Sequence, residues 1–406
     1  MTIKHSLTPV NEALQFLTER ATLVNEVENI AVLQALGRVL AEPVVSRVNV
    51  PPLDNSAMDG YAVNTEDLAD GHTTLPVSQR IPAGTTGEAL RKGSAARIFT
   101  GAPVPPGADA VVMQENTSAE GDNVTILKNP VPGQNIRRAG EDMGEGDTIM
   151  SAGKLVRAQE MGLAASVGVA ELAVYRRVRV ALFMTGDELV EPGTPLQPGQ
   201  IYNSNRYTLS GQLQAMGCEI IDSGIVPDDF DATVSALQQA ANSADVVIST
   251  GGVSVGEEDY VKLAMEKLGE MKLWKIAVKP GKPLAFGDIG GTPLIGLPGN
   301  PVSSFVTFVL FARPFIRKMQ GLEPGRLNGY PVKAGFDRQK AGMRREFFRA
   351  RLVHTESGPH AVLYPHQGSG VLSSVCWAEG LVDIDAGQTV KKGDTVSWIP
   401  FAELEK

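Results

Sequence analysis

The feature that most constrains this chain is an alternation of short apolar runs and helical segments between residues 178 and 319. Parallel strands need crossover helices between them, so the alternation predicts an α/β domain with a parallel sheet covered on both faces. One helix is expected over residues 231–244, with Asp231 as its N-cap, and a hairpin near residues 283–297. Predicted strands cover residues 178–184, 219–226, 245–249 and 273–278, and a last helix covers residues 301–319.

The rest of the chain lacks this regular alternation of strands and helices. Apolar spacing predicts helices after Pro9, over residues 30–40 and over residues 153–168. Between them, and again after residue 330, short apolar runs alternate with turn residues, which indicates small β domains. We therefore expect a multidomain α/β protein. Its predicted parts are a helical domain of residues 1–45 and 141–177, an inserted β domain of residues 46–140, an α/β domain of residues 178–325 and a C-terminal β domain of residues 326–406.

Composition excludes several classes of protein. The 406 residues carry 37 Lys and Arg against 46 Asp and Glu, a net charge of −9, which argues against a dedicated nucleic-acid binder. Cys218 and Cys376 cannot form a disulfide framework, which favours a reducing, cytoplasmic location. The strongest apolar stretch is too short to span a membrane, and the five histidines form no zinc-hydrolase pair.

Glycine turns and lysines near the predicted strand ends indicate anion binding. Gly251 and Gly252 follow a strand and can expose backbone N–H groups beside a helix start, in a segment that continues through Ser254. A tight structural turn explains these glycines equally well. On a strand over residues 273–278 and its continuation, Lys275 and Lys279 would share one face and need an anion between them. A solvated edge strand guarded by lysines is the alternative.

A second rigid loop precedes the last predicted helix. Pro298 and Pro301 stiffen it, Gly299 permits close approach, and Asn300 stands just before the helix. Such a loop offers backbone N–H groups to an anion, although a single loop of this kind is usually only a turn. Late in the chain, Arg344, Arg345, Arg349 and the run from His366 to Ser369 could add oxyanion contacts, against the stronger alternative of a solvated strand face.

Carboxylates are expected at the same sheet edge. Glu188 follows the first predicted strand, Asp228 follows the second, and Asp259 lies beyond the glycine turn. Carboxylates beside bound phosphates commonly hold Mg²⁺ through one or two protein ligands, so we predict Mg²⁺ as the cofactor. Taken singly, such aspartates could be helix caps or turn residues. In the β insertion, Asp59 lies beside Met58 and Tyr61 in a run typical of a ligand cleft or of simple Asx turns.

Seven runs of the chain form a recognisable series. They are DNSAMDGYAV from Asp54, TGAPVPPGADAVVMQE from Thr100, GEDM from Gly140, TGDEL from Thr185, STGGVSVGEEDY from Ser249, KIAVKPGKP from Lys275 and LPGNPVS from Leu297. In this order they resemble the molybdopterin molybdenumtransferase family, which acts in molybdenum-cofactor assembly. With the helical start and β tail, the resemblance covers essentially the whole chain.

The resemblance implies an elongated homodimer whose cleft draws on both subunits. It implies adenylylated molybdopterin and molybdate as substrates and, with Mg²⁺, molybdenum cofactor and AMP as products. Glu188, Asp228 and Asp259 would hold the metal ion, while Asp59, Thr100 and Asp142 would come from the other subunit. The functional residues carried over are Asp59, Thr100, Asp142, Glu188, Asp228, Asp259, Lys275, Lys279, Pro298, Pro301, Arg349 and Ser369.

Three other readings stay open at the level of sequence. The molybdopterin adenylyltransferase resembles only the α/β domain, and a transient contact with that enzyme is conceivable. An amidase family that shares the α/β domain lacks the block from Asp54 to Val63. A non-catalytic scaffold is the third, because the receptor-clustering protein gephyrin carries a domain resembling this whole chain.

Overall fold

A computed structural model describes residues 7–252, 260–325, 327 and 329–404. The chain forms two compact units. One consists of the described residues within 1–28, 37–39 and 175–406, and the other of residues 29–36 and 40–174. No described helix is both long and apolar enough to cross a membrane.

The first unit contains a six-stranded sheet that confirms the predicted α/β class. Its first four strands are parallel, the fifth runs antiparallel to both of its neighbours, and the sixth has the direction of the first four. The expected hairpin is therefore present and the sheet is mixed. In spatial order the strands are Glu219–Val226, Arg179–Thr185, Val246–Thr250, Thr292–Leu297, Ala285–Ile289 and Gly269–Trp274.

Both faces of this sheet are buried, as a parallel sheet requires. Along Arg179–Thr185, Leu182 and Met184 belong to one apolar core, whereas Phe183 belongs to the other. The predicted last helix is present, interrupted by a π-helical segment at Phe308–Ala312. Helices of the unit are Val10–Thr18, Ser204–Ala215, Phe230–Ser243, Tyr260–Leu268, Pro301–Thr307, Arg313–Met319, Ser373–Trp377 and Phe401–Leu404, and a short strand pair joins Leu189–Val190 to Ile201–Tyr202.

Two local predictions in this region are wrong. Asp229, not Asp231, caps Phe230–Ser243, because its side chain accepts a hydrogen bond from the Ala232 N–H at 2.8 Å. The strand predicted over residues 273–278 ends at Trp274, since Lys275 takes a left-handed conformation with φ of 72°. Lys275 and Lys279 therefore do not share the face of one strand.

The predicted C-terminal β region forms a second six-stranded sheet, whose long strand Arg345–Thr355 pairs on both sides. Its core contains Val382 and Trp398. Val278–Lys279 joins this sheet parallel to Arg345 and Glu346, which ties the lysine segment to the C-terminal region. The remaining strands are Tyr330–Ala334, Gly358–Leu363, Gly380–Ile384 and Thr395–Pro400.

The second unit is built mainly from a six-stranded β sheet and one helix, Ala158–Ser166. Short 3₁₀ turns lie at Val32–Gln34, Thr65–Asp67 and Gln114–Asn116. The sheet contains Ala110–Met113, Gly60–Val63, Ala95–Ile98, Thr73–Ile81, Asn123–Ile126 and Thr117–Glu120 in spatial order. Two-stranded pairs join Asn55–Ser56 to Ile136–Arg137, Val44–Val45 to Thr148–Met150, and Val27–Ala31 to Glu171–Tyr175.

The helix predicted over residues 30–40 is wrong. The chain instead forms the strand Val27–Ala31 and the 3₁₀ turn Val32–Gln34. Val32, Ala35 and Leu40 are buried in one apolar core by this path. Apolar spacing alone therefore did not distinguish a helix from a strand followed by a single turn.

The predicted helical domain combined residues 1–45 with 141–177, but the first 45 residues are divided between the two units. In Val10–Thr18, Leu17 packs into the core of the α/β sheet. Ala158–Ser166 instead contributes Ala164 to the core that contains Val32 and Leu40. A short amphipathic helix carries no signal for which partner buries it, so the four-part division stays a prediction.

The capping contact predicts a difference between two neighbouring aspartates. Asp229→Ala should lower the free energy of unfolding by about 1 kcal/mol, because the Ala232 N–H loses its acceptor. Asp231→Ala, in the first turn of the same helix, should cost only about 0.3 kcal/mol through the helix dipole. Thermal unfolding followed by circular dichroism measures both, and equal shifts for the two variants would contradict the assignment of the cap.

Candidate functional site

A cavity of about 750 Å³, here called the strand-end pocket, lies at the carboxyl edge of the parallel strands within the first unit. Its wall includes Thr185 and Thr250, at the ends of neighbouring strands. A loop of the C-terminal β region closes another side. Residues predicted from sequence that line the pocket are Glu188, Gly251, Gly252, Lys279, Pro298, Gly299, Asn300, Pro301, Arg344 and Ser369.

The glycine turn is required by close packing. A Cβ on Gly251 would lie 2.4 Å from the carbonyl oxygen of Thr185, and one on Gly252 would lie 2.7 Å from a methyl carbon of Val261. Both residues have positive φ, of 89° and 62°. Backbone therefore forms this part of the pocket directly, and its polar groups can approach a ligand without an intervening side chain.

Asn205 holds the loop that contains Gly299, between Leu297 and Pro301, in place. Its side chain is 8% exposed, and its amide nitrogen donates to the carbonyl oxygen of Gly299 at 2.7 Å. The same nitrogen lies 3.5 Å from the hydroxyl oxygen of Thr250. Because a carbonyl can only accept, this contact fixes which end of the amide faces the loop. Asn205 thus ties the loop to the strand end.

The loop leads into Pro301–Thr307, whose first residue is the proline. The N–H of Val302 donates to the carbonyl oxygen of Ser369 at 2.9 Å. One N–H group of the helix start is therefore satisfied by the C-terminal region, and this bond places Ser369 beside the loop. The α/β sheet and the C-terminal sheet thus build one pocket.

Positive charge reaches the pocket from three side chains, Lys279, Lys282 and Arg344. The Lys279 ammonium group lies 3.0 Å from Glu346 and keeps about half of its side chain exposed. Arg344 donates to the carbonyl oxygen of Val278 at 3.0 Å. A pocket wall of this kind favours an anionic ligand.

Of the carboxylates predicted at this sheet edge, Glu188 is a lining residue of the pocket and Asp228 is not. Glu188 lines the pocket, and the hydroxyl of Thr185, a lining residue, donates to Asp228 at 2.5 Å. The backbone N–H of Asp228 donates in turn to Asp187 at 3.1 Å. No cluster of three or more His, Cys, Asp or Glu side chains that could hold a metal ion occurs within the described ranges. Asp259 and Ser254 lie outside the described residues.

Arg349 is not among the residues that line the pocket. It is 1% exposed and donates to the carbonyl oxygen of Gly368 and to the Ser374 hydroxyl, each at 3.0 Å. Burial lowers the pKa of this guanidinium to about 10. Arg349 therefore supports the loop that carries Ser369, from behind the pocket wall.

Two other predicted cationic residues also lie off the lining. The carbonyl oxygen of Lys275 accepts from the Thr8 N–H at 3.2 Å, and Lys275 is not a lining residue. Arg345 is engaged by the Asp383 carboxylate, with contacts of 2.5 and 2.8 Å, and does not line the pocket.

The second unit brings together two of its three predicted site residues. One carboxylate oxygen of Asp59 accepts from both the N–H and the hydroxyl of Thr100, each at 2.8 Å. These hydrogen bonds lower the pKa of Asp59, so the exposed carboxylate stays charged. Asp142 is exposed, and its backbone N–H donates to the carbonyl oxygen of Val50 at 3.0 Å.

Comparison with known families covers most of the chain. Residues 8–168 match the MoeA N-terminal region (domain I and II), residues 181–318 match a probable molybdopterin binding domain, and residues 331–401 match the MoeA C-terminal region (domain IV). A molybdopterin molybdenumtransferase of Haemophilus influenzae is 39% identical over 97% of this chain and 99% of its own length. The chain belongs to the molybdopterin molybdenumtransferase family.

Other members of the family agree in sequence and in fold. Molybdopterin molybdenumtransferase 2 of Mycobacterium tuberculosis is 41% identical over 86% of this chain and 89% of its own length. A crystal structure of the molybdopterin biosynthesis moeA protein from Pyrococcus horikoshii superposes with a TM-score of 0.84 at 29% identity. That match covers 97% of this chain and 99% of the other.

Several pocket residues escaped sequence reasoning. Asn205 lies in the helix after the first strand and looks like an ordinary polar helix residue. Thr185 and Lys282 lie in the runs TGDEL and KIAVKPGKP, but they are not among the site residues predicted from sequence. The position of these two residues in the sequence could have indicated their role, because Thr185 directly follows a predicted strand and Lys282 continues the lysine-rich segment.

The anchoring contact of Asn205 predicts a local loosening. Asn205→Ala should speed backbone hydrogen exchange in residues 297–303, because the Gly299 carbonyl loses its buried donor. We expect the free energy of unfolding to fall by about 1 kcal/mol. Hydrogen exchange measured by mass spectrometry reads the loop directly.

Gln214→Ala is the matched control, because this exposed residue lies on the same helix and is not a lining residue. It should leave exchange in residues 297–303 at the wild-type rate. Unchanged exchange in Asn205→Ala would show that the loop holds its position without the amide.

Proposed function

We propose that this chain inserts molybdenum from molybdate into adenylylated molybdopterin and releases AMP. The observation that carries the proposal is the strand-end pocket. Its two glycine-containing loops, Lys279 and Lys282 belong to the region that matches a probable molybdopterin binding domain, and Arg344 joins them from the C-terminal region. The names of the relatives support the transfer of molybdenum to molybdopterin.

The pocket offers different partners to the two anionic substrates. The backbone at Gly252 suits phosphate oxygens, since no side chain separates it from the cavity, whereas the N–H of Gly251 already donates to the carbonyl oxygen of Leu297 at 3.3 Å. Lys279, Arg344 and the loop at Ser369 suit a small oxyanion such as molybdate. The dithiolene sulfurs of the pterin would capture molybdenum, while the cations neutralise oxygens as charge develops.

Mg²⁺ is part of the proposal. Glu188 and Asp228 would hold it, together with oxygens of the substrate, because Mg²⁺ bound beside phosphates commonly uses one or two carboxylates. The donor set fits that arrangement and offers no cage made by the described residues alone. When bound, the ion would neutralise phosphate charge as AMP leaves.

We also propose that the working form is a homodimer in which Asp59, Thr100 and Asp142 of one subunit serve the strand-end pocket of the other. The carboxylate of Asp59 is oriented by two hydrogen bonds from Thr100 and remains exposed. Leu33 and Leu36 are 88% and 61% exposed, which suits a surface covered by a second copy.

The free thiols suit the cytoplasm, which we propose as the location. There, the chain would receive its substrate from the adenylyltransferase by transient contact.

AMP release is the direct test of the reaction. The purified protein with Mg²⁺ and adenylylated molybdopterin should release AMP when molybdate is added, and active cofactor should form. Asp228→Asn should reduce this rate at least 100-fold, because the Thr185 hydroxyl loses its charged acceptor and the metal ion a ligand.

Asp231→Asn, an exposed residue just beyond the helix cap, should keep the wild-type rate. Pterin binding without AMP release by the wild type would instead favour a scaffold. AMP incorporation from ATP into molybdopterin would favour an adenylyltransferase.

Mixing variants tests the shared cleft. Asp59→Asn and Lys279→Met should each be inactive as homodimers, because each spoils both clefts. When they are mixed under conditions that exchange subunits, every heterodimer should contain one intact cleft and have about half of the wild-type activity. Because random exchange of equal amounts makes about half of the dimers heterodimers, the mixture should recover about a quarter of the wild-type activity. Absence of any recovery, with heterodimers shown by mass spectrometry, would contradict a cleft composed from both subunits.

A further inference from the structure

A buried carboxylate stands directly behind the pocket lysine. Glu346 is 5% exposed and holds the Lys279 ammonium group at 3.0 Å with one oxygen and the Arg338 guanidinium at 2.5 Å with the other. The Lys279 side chain is half exposed and lines the strand-end pocket, whereas Glu346 and Arg338 do not line it. One carboxylate thus separates two cations and holds the one that faces the cavity.

The surrounding backbone is arranged around this carboxylate. Val278 and Lys279 pair parallel to Arg345 and Glu346, so the two side chains arise from adjacent strands. A Cβ on Gly342 would lie 2.8 Å from Glu346 and 2.7 Å from the Arg338 guanidinium, so the absence of a side chain there makes room for the pair.

We infer that Glu346 is a positioning residue, which sets the place of the Lys279 ammonium group so that it meets an oxyanion in the strand-end pocket. Lysine has four rotatable bonds and a half-exposed ammonium group, so without an anchor it would sample many positions. Loss of the carboxylate would also leave Lys279 facing Arg338, and like charges would drive the ammonium group away. The inference rests on the proposed function only for the identity of the oxyanion.

Positioning and simple charge make opposite predictions. Glu346→Gln removes one negative charge near the pocket, so long-range electrostatics alone would tighten the binding of an anion. If Glu346 acts by holding Lys279, the same substitution weakens binding. The sign of the change therefore separates the two roles.

The experiment is a calorimetric titration of the full-length protein with sodium molybdate. Glu346→Gln should raise the Kd for molybdate about tenfold, and so should Lys279→Met. In the double variant the Kd should stay within twofold of that of Lys279→Met, because Glu346 acts through the lysine. A Kd that is unchanged or lower in Glu346→Gln would overturn the inference, and so would additive effects in the double variant.

Asp383→Asn supplies a matched control. Asp383 is a buried carboxylate of the same sheet that pairs with Arg345, and neither residue lines the pocket. Asp383→Asn removes the nearest carboxylate from the partly exposed Arg345, as Glu346→Gln does from the partly exposed Arg338, so both should lower thermal stability. Only Glu346→Gln should change the Kd by more than twofold, and an equal change in the two variants would indicate a general structural effect and overturn the inference.

Measurements on the wild-type protein distinguish a failure of this inference from a failure of the proposed function. Molybdate-dependent AMP release by the wild type tests the proposed function without reference to Glu346. Molybdate binding that weakens in Glu346→Gln supports positioning even if no AMP is released. If the wild type binds no molybdate, the inference is overturned whether or not AMP appears.

Discussion

The strand-end pocket depends on how closely two adjacent strand ends approach each other. The ideal Cβ position of Gly251 is only 2.4 Å from the Thr185 carbonyl oxygen, so that backbone path is open to glycine alone. Because the strands are parallel, the same edge also receives the end of Thr292–Leu297 and the loop that follows. The pocket thus exists because the strands are parallel and because Gly251 has no side chain.

Buried polar contacts turn these loops into a fixed wall. Asn205 binds the Gly299 carbonyl, and Arg349 binds the Gly368 carbonyl in the loop that carries Ser369. Both side chains are more than nine-tenths buried, so water does not compete strongly for their partners. Among the described residues Arg349 contacts no carboxylate, and its charge is stabilised by carbonyl and hydroxyl oxygens. Burial lowers the pKa of the guanidinium to about 10, which is still well above neutrality, so Arg349 stays charged with these neutral acceptors.

Sequence was most informative where local chemistry decides the structure. Strand and helix alternation predicted the α/β sheet, and the glycine and proline loops predicted much of the pocket lining. It failed where tertiary contacts decide. Lys275 departs from its strand into a left-handed conformation, and no periodicity signals that turn. Asn205 and Glu346 take their roles from partners distant in the chain, at Gly299 and Lys279, and a single sequence contains no record of such pairs.

The bond from the Val302 N–H to the Ser369 carbonyl has a consequence for the order in which the protein matures. A chain leaving the ribosome can complete the α/β sheet, whose last strand ends at Leu297, well before Ser369 has been synthesised. Until then the start of Pro301–Thr307 lacks this acceptor, and the cavity lacks the wall that carries Ser369. The nascent chain therefore gains the complete wall of the strand-end pocket only near the end of translation, when little of the chain remains to be made.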